Sequence, residues 1–296
     1  MAALPTAAHV KAEEAYAFSS ADFERVRRLI HLRAGIALNA TKRSMVYSRL
    51  SRRLRQLGLD DFGAYLDALE ATAPGDDEWQ AFVNALTTNL TSFWRESHHF
   101  PVLGRLLSER TQRGPATVWC CAASTGEEPV TIAITAIEAF GSRTPPVRVL
   151  ATDIDTAVLA NARAGVYREE AVAKLEPALV RRHFLRGRGR HAGFVRVMPD
   201  VLALIDYRPL NLLDERWSVE GAFDAIFCRN VMIYFDKPTQ LRVLRRLVHH
   251  LAPDGLLFSG HSENLAHARD LLEPRGRTVY GLAAGHAHAC VAARAA

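Results

Sequence analysis

The chain has 296 residues, of which 49% are hydrophobic and 23% charged, and its 37 basic and 32 acidic side chains give a formal net charge of +5. This composition is ordinary for a soluble globular protein and excludes a disordered chain, a collagen and a small disulfide-bonded scaffold. At about 150 residues per domain, the length predicts two domains.

The first part of the chain, from residue 20 to about 113, has the apolar spacing of helices and shows no alternation typical of strands. Gly35 and Gly58 follow the first two helical patterns, and glycine favours the left-handed conformation that ends helices. We expect helices at about 20–34, 41–57, 62–69 and 77–86, the last two separated by the turn Ala73-Pro74-Gly75. We predict that this all-helical domain covers residues 17–90.

The helical segment is unusually basic. Ten basic and no acidic residues lie between Arg25 and Leu59, so the rest of the chain has a net charge of −5. On a helix, Arg49, Arg52 and Arg53 can share a face opposite the apolar stripe. A charge run is most often a solvated face, but exposed helices usually mix both signs. We interpret the segment as a docking surface for an acidic helix, with nucleic acid as the alternative, although no nucleic-acid-binding motif accompanies it.

From Pro115 onward, short apolar runs rich in β-branched residues alternate with helical patterns. Strands are predicted at 117–122, 147–152, 223–228 and 256–259. This alternation is typical of a doubly wound, parallel α/β sheet. Glycines and short apolar runs at about 184–210 predict a small antiparallel β-subdomain inserted into this second domain, which we place at residues 91–284.

The turn after the first strand, Ala123-Ser124-Thr125-Gly126-Glu127-Glu128-Pro129, occupies the place where open α/β sheets bind ligands. It is not the GxGxxG dinucleotide fingerprint, and its two glutamates would repel phosphate. S-adenosylmethionine, which is cationic and carries no phosphate, fits this charge. A helix start that complements the macrodipole explains the glutamates equally well.

Later strand ends complete the predicted ligand site. Asp153 ends the second strand, where a carboxylate can accept hydrogen bonds from both ribose hydroxyls. We expect Asp155 to cap the next helix. Asn211-Leu212 and Arg229-Asn230 lie at later strand ends, where an amide and backbone groups could bind adenine.

Four segments closely resemble signatures of the chemotaxis-receptor glutamate O-methyltransferases, the CheR family. They are residues 84–100, which include Asn89-Leu90-Thr91-Ser92-Phe93-Trp94-Arg95, the turn 122–129, the strand end 152–155, and residues 227–236. The resemblance is collinear from about residue 17 to 282. It implies a helical domain followed by a Rossmann-like S-adenosyl-L-methionine-binding domain with a β-subdomain. The implied reaction, for sensory adaptation, methylates receptor glutamates and leaves S-adenosyl-L-homocysteine.

The resemblance also implies site residues. Arg95 and Tyr234 occupy the positions nearest the transferred methyl group. The implied cofactor-binding residues are Asn89, Thr91, Arg95, Glu128, Asp153, Asn211, Leu212, Cys228, Arg229 and Asn230. A substrate glutamate is ionised at pH 7, so the reaction requires positioning and no general base. We therefore interpret His98 and His99 as structural or domain-contact residues.

The implied partners are the cytoplasmic Glu-rich helices of chemoreceptors. In some members of the family the β-subdomain also captures a receptor C-terminal peptide by strand addition; a simple cap over the active site is the alternative. We expect a monomer that binds no nucleic acid. Two other functions remain open, methylation of nucleic acid and a cofactor-sensing scaffold that transfers no methyl group.

The cysteines and the chain ends allow further predictions about metal binding, the cellular setting and the tail. Four cysteines form no CxxC pair and no metal-binding spacing with histidine, so we expect no metal and a reducing, cytoplasmic setting. The first 18 residues lack the apolar run of a signal peptide, and no segment is long and apolar enough for membrane insertion. His286 and His288 lie in a small-residue segment, 285–296, which we expect to be a disordered tail.

Overall fold

The computed structural model describes residues 16–73, 75–110 and 114–284. Its α-helices are α1 (Ser20–Ala34), α2 (Arg43–Leu57), α3 (Phe62–Ala71), α4 (Asp77–Leu86), α5 (His99–Arg110), α6 (Glu127–Phe140), α7 (Thr156–Ala164), α8 (Pro177–His183), α9 (Pro199–Leu202) and α10 (Lys237–His250). Its strands are β1 (Ala116–Cys120), β2 (Val147–Asp153), β3 (Val166–Arg168), β4 (Phe184–Arg186), β5 (Phe194–Val197), β6 (Ile205–Pro209), β7 (Phe223–Cys228), β8 (Leu251–Ser259), β9 (Leu272–Gly276) and β10 (Val279–Leu282). The predicted tail, with His286 and His288, lies outside these residues.

Helices α1 to α4 enclose one apolar core at the amino-terminal end, which includes Val26, Leu50 and Phe82. The predicted helix ends are confirmed, because Gly35 and Gly58 adopt left-handed conformations with φ of 68° and 67° after α1 and α2. The helical amino-terminal domain is thus as expected. The boundary at residue 90 stays a prediction.

The main sheet has seven strands in the order β6-β2-β1-β7-β8-β10-β9. The first five are parallel, as the alternation of strands and helices predicted, and β10 and β9 add an antiparallel edge. Successive side chains enter opposite layers: Val118 and Phe227 belong to the core that includes α5 and α6, whereas Trp119 and Ile226 belong to the core that includes α10. Strands β9 and β10 were not predicted.

The β-subdomain is a separate antiparallel sheet in the order β3-β5-β4. Its predicted bounds, 184–210, are wrong at both ends. The small sheet begins at Val166, since β3 pairs with β5, and it excludes β6, which pairs in parallel with β2. A three-residue strand such as β3 is too short to give a recognisable alternation, and a strand's partner is set by tertiary packing.

The helical domain lies against the carboxyl end of the main sheet. Gln80 of α4 donates a hydrogen bond to the Ile154 carbonyl (2.9 Å), and the Ala37 N–H donates to the Tyr234 carbonyl (2.9 Å). The carboxyl end of the sheet, where such sheets bind ligands, is therefore covered by the amino-terminal domain. No helix in the described part of the chain combines the length and apolar character needed to cross a membrane.

Candidate functional site

A cleft separates the helical domain from the carboxyl ends of β1, β2 and β7. Ten of the eleven predicted catalytic and cofactor-binding residues line it, namely Asn89, Thr91, Arg95, Glu128, Asp153, Asn211, Leu212, Arg229, Asn230 and Tyr234. The helical domain contributes Ala34, Lys42 and Met45, among others, which were not predicted to lie there. They reach the cleft only through packing of the two domains, so no local sequence pattern marks them.

Glu128, in the first turn of α6, is a buried carboxylate paired with Arg229, whose Nη1 lies 2.6 Å from Glu128 Oε2. Burial raises the pKa of Glu128, and the positive charge of Arg229 opposes that rise. Arg229 also donates to the Arg95 carbonyl. Arg229 thus lines the cleft with its guanidinium bonded to Glu128, and its role in binding the cofactor stays a prediction.

Glu96 joins this buried pair from the turn before α5. Its Oε2 lies 3.5 Å from Arg229 Nη2, and its Oε1 lies 2.8 Å from Nδ1 of His261. Although burial opposes ionisation, hydrogen bonds from His261 and the charge of Arg229 lower the pKa of Glu96 to about 2. Two carboxylates therefore hold the guanidinium from both sides, which fixes the orientation of Glu128 in the cleft.

Asp153, at the end of β2, is the second buried carboxylate facing the cleft. It accepts hydrogen bonds from the N–H groups of Ser124 (2.8 Å) and Asp155 (2.9 Å). Burial raises its pKa to about 6, although these N–H donors favour the ionised form. At pH 7 its oxygens are ionised acceptors that can still bind hydroxyl donors.

Asp155 caps α7, as predicted, by accepting from the N–H groups of Ala157 (3.0 Å) and Val158 (3.2 Å). It also accepts from the Thr87 hydroxyl (2.6 Å) and from the side-chain amide of Asn89 (2.8 Å). Asn89 lines the cleft, but its side-chain amide bonds Asp155 and so connects the segment after α4 to the α/β domain.

Two predicted cofactor-binding residues are placed differently from expectation. The side-chain N–H of Asn211 donates to the Arg33 carbonyl (2.8 Å), and its oxygen accepts from the N–H of Leu213 (3.0 Å), so its amide is used within the protein. Cys228 is buried and does not line the cleft, whereas Cys121, the residue after the neighbouring strand β1, does. The position of a residue in a sequence motif does not show which groups pack against its side chain, so neither placement could be predicted.

Arg95 and Tyr234 line the same cleft. Nη1 of Arg95 donates to the Leu90 carbonyl (2.6 Å), which leaves other N–H groups of the guanidinium for an incoming carboxylate. Tyr234 is the last residue of a 3₁₀-helical turn, Met232–Tyr234.

Four residues other than glycine have left-handed backbones beside the cleft: Trp94 (φ 53°), Glu96 (φ 54°), Ser124 (φ 50°) and Asn230 (φ 58°). Such conformations are unfavourable and cluster at functional sites. Gly126 has φ of 98°, and a Cβ there would lie 2.7 Å from the Tyr167 hydroxyl, so only glycine fits this turn.

His98 and His99, interpreted as structural or domain-contact residues, contact the same hydroxyl of the α/β domain. Their Nε2 atoms lie 3.3 and 2.8 Å from the hydroxyl of Thr278 on the sheet side of the domain. His99 is fully buried, and burial lowers its pKa to about 3, which keeps the ring neutral. Neither residue lines the cleft.

Two of the three predicted docking residues in the basic segment are bonded to other groups of the protein and are not available to a partner. Arg53, predicted as a docking residue, bonds Glu78 of α4 (Nε–Oε1 2.9 Å), which also accepts from the Tyr65 hydroxyl. Arg49 donates to the Thr87 carbonyl. These partners come from outside the segment, so counting charge along the chain could not reveal them. Among the three predicted docking residues, only Arg52 is exposed.

The cleft contains no cluster of metal ligands. Among residues 16–73, 75–110 and 114–284, no group of three or more histidine, cysteine, aspartate or glutamate side chains could hold a metal ion.

Comparison with known proteins gives two family matches. Residues 21–87 match "CheR methyltransferase, all-alpha domain" and residues 89–280 match "CheR methyltransferase, SAM binding domain". The chain is similar to the chemotaxis protein methyltransferase of Klebsiella aerogenes, with 56% identity over 89% of this chain and 90% of the relative. The corresponding protein of Escherichia coli is 53% identical over 91% and 93% of the two chains. Among solved structures, PKMT2 from Rickettsia typhi in complex with AdoHcy matches 58% of this chain and 26% of its own at 15% identity and a TM-score of 0.33.

Proposed function

The chain belongs to the CheR methyltransferase family and is an S-adenosyl-L-methionine-dependent chemotaxis protein methyltransferase, and we propose that its cleft brings the cofactor and a receptor glutamate together at Arg95 and Tyr234. One observation carries this proposal. Two buried carboxylates at the ends of the sheet, Glu128 and Asp153, face the same cleft as Arg95 and Tyr234.

The residues of the cleft fit S-adenosyl-L-methionine. Glu128 would bind the ammonium group and Asp153 the ribose hydroxyls, because both are buried acceptors. Ile154, Leu210 and Leu212 offer an apolar surface for adenine. The cofactor supplies a methyl group activated by a positively charged sulfur. Two carboxylates would disfavour a ligand with phosphates.

The side chains of this protein have two tasks in the reaction. The nucleophile is an ionised glutamate, so no proton has to be removed. Arg95 would hold that carboxylate by a charge-assisted hydrogen bond, and Tyr234 would shape the pocket and donate a weak hydrogen bond from its hydroxyl. Holding the reactants in line is worth about 7–11 kcal/mol of the barrier.

A docking surface for the receptor lies on α2 and the turn before it. Lys42, Arg52 and Arg55 are exposed, and Lys42 also lines the cleft. Their charge suits the Glu-rich cytoplasmic helices of chemoreceptors. This attraction would weaken with salt, because charges more than about 8 Å apart are screened at physiological ionic strength.

The β-subdomain offers a second contact for the receptor. Strands β3 and β4 are both edges of the three-stranded sheet, and Val166 and Leu185 on these edges are half exposed. An edge strand presents unpaired N–H and C=O groups, which an extended C-terminal receptor peptide could bind by strand addition. Calorimetry with that peptide tests this contact: Leu185→Asp, on the β4 edge, should weaken binding, whereas the control Leu32→Asp, exposed on α1, should leave it unchanged.

The proposed function is tested with radiolabelled S-adenosyl-L-methionine, purified protein and membranes that contain the organism's receptors. We expect base-labile label on the receptor, as a glutamate ester requires. Base-stable label on nucleic acid would indicate the second enzymatic function. Binding of receptor and cofactor without any transfer would indicate a scaffold.

A further inference from the structure

Glu263, in the segment after β8, is a buried carboxylate, 6% exposed, outside the residues that line the cleft. Its Oε1 accepts hydrogen bonds from the N–H groups of Val231 (2.9 Å) and Met232 (2.8 Å). Its Oε2 accepts from the N–H of Gly260. Burial of a carboxylate is costly unless hydrogen bonds satisfy its oxygens, and here three main-chain N–H groups do so.

The donors at Val231 and Met232 begin the helical turn Met232–Tyr234. The first N–H groups of a helical turn have no partner within the turn. No side chain of the turn caps it, since the N-cap position is Val231. Glu263 supplies the missing acceptor from a distant part of the chain.

The opposite side of the turn is held by α10. The side-chain amide of Gln240, a buried residue, donates to the carbonyls of Met232 (2.8 Å) and Phe235 (3.1 Å). Two buried side chains thus hold the N–H and C=O groups of one short segment. Neither lines the cleft.

The segment that they hold carries residues of the cleft. Asn230 and Tyr234 line it, and Asn230 has the left-handed φ of 58°. A Cβ on Gly260 would lie 2.3 Å from the side-chain nitrogen of Asn230, so the Gly260–Glu263 segment packs directly against the start of the turn. Movement of Glu263 would therefore move Asn230 and Tyr234 together.

We propose that Glu263 is a positioning residue for methyl transfer: it fixes the 230–234 segment so that Tyr234 meets the reacting carboxylate. The inference rests on the proposed function, because it requires Tyr234 at the methyl-transfer centre. Small displacements at a reacting centre lower rates strongly, by as much as about a hundredfold for 1 Å.

The test is Glu263→Gln, which keeps the size of the side chain. One oxygen can still accept from Val231 and Met232, but the amide NH₂ then faces the N–H of Gly260, and two donors cannot bond. We expect kcat for receptor methylation to fall roughly tenfold, which corresponds to the loss of one hydrogen bond to a charged group. The KM for receptor should stay within about threefold, and the Kd for S-adenosyl-L-homocysteine should rise by less than kcat falls, because Glu128 and Asp153, which would bind the ammonium group and the ribose, lie outside the 230–234 segment. Glu138→Gln, which removes a carboxylate bonded to Arg182 and His183 instead, is the matched control and should keep the wild-type kcat.

A double-mutant cycle with Tyr234→Phe separates positioning from general destabilisation. If Glu263 acts through Tyr234, Glu263→Gln should lower kcat by less than about threefold in the Tyr234→Phe background. If Glu263→Gln lowers kcat by the same factor in the Tyr234→Phe background as in the wild type, the inference is overturned. It is also overturned if Tyr234→Phe is slow but Glu263→Gln alone has the wild-type kcat. A wild-type rate for Tyr234→Phe itself would instead refute the proposed role of Tyr234. If Glu263→Gln does not fold, Gln240→Met releases the other side of the same turn and enters the cycle in its place, with the same outcomes.

Discussion

Protonation of Asp153 should weaken cofactor binding in mildly acidic solution. Burial raises the pKa of this carboxylate to about 6, and the residue lines the cleft. The ribose hydroxyls would donate hydrogen bonds, so they require the ionised form. Affinity should therefore be highest above pH 6 and should fall as the pH drops through that value.

The size of the effect follows from the titration. With a pKa of about 6, roughly nine-tenths of Asp153 is ionised at pH 7 and roughly one-tenth at pH 5. If only the ionised form binds the ribose, the Kd for S-adenosyl-L-homocysteine rises about tenfold between these pH values, or about 1.4 kcal/mol. Binding at pH 6 should also release protons from the protein.

Calorimetry of S-adenosyl-L-homocysteine binding from pH 5 to pH 8 measures this dependence directly. Asp153→Asn is the control, because it cannot titrate; it should bind more weakly at every pH and show a flatter profile. Circular dichroism at each pH establishes that the protein stays folded. A Kd for the folded wild type that does not change between pH 5 and pH 7 would refute the assignment of Asp153 to the ribose.

Four substitutions test other parts of the structure. Arg95→Ala should lower kcat for receptor methylation about 10- to 100-fold, since a hydrogen bond to a charged group is worth about 1.5–3 kcal/mol, and an unchanged thermal unfolding curve would show that the loss is local. Arg52→Glu should raise the receptor KM at low salt and leave the Kd for S-adenosyl-L-homocysteine unchanged; equal loss of cofactor affinity would contradict a docking role. Arg53→Ala should lower the unfolding free energy by about 1–3 kcal/mol in urea titrations, because it leaves the half-buried carboxylate of Glu78 without its ion pair; a receptor defect with unchanged stability would contradict this structural role. Gly126→Ala should weaken cofactor binding in calorimetry by more than tenfold, because φ of 98° and the Tyr167 hydroxyl leave no room for a Cβ; wild-type affinity would show that the turn can move.

The parts of the fold that depend on local sequence were predictable. Gly35 and Gly58 end helices because their conformation is set by the residue itself. Asp155 caps α7 for a similarly local reason. The carboxyl ends of parallel strands meet at one edge of a sheet, so Asp153 could be placed beside the first turn from its position alone.

The parts that depend on tertiary contacts were not predictable. Arg53 was expected to face a partner because its own segment contains no acidic residue. Glu78, which binds it, comes from another helix and is brought to it by packing. The amide of Asn211 was expected to face adenine, but packing of the two domains brings the Arg33 carbonyl to it. The role of Glu263 in holding the 230–234 segment is likewise visible only once β8 is placed beside β7.

The central claim is that Arg95 presents a receptor glutamate to S-adenosyl-L-methionine in the cleft. Mass spectrometry of receptor peptides, after incubation with cofactor and either the wild-type protein or Arg95→Ala, tests it most directly. We predict methyl groups on specific glutamates of the receptor's cytoplasmic helices, removed by mild base, with the wild type and nearly none with the folded variant. Methylation of other residue types, or equal ester formation by Arg95→Ala, would contradict the claim.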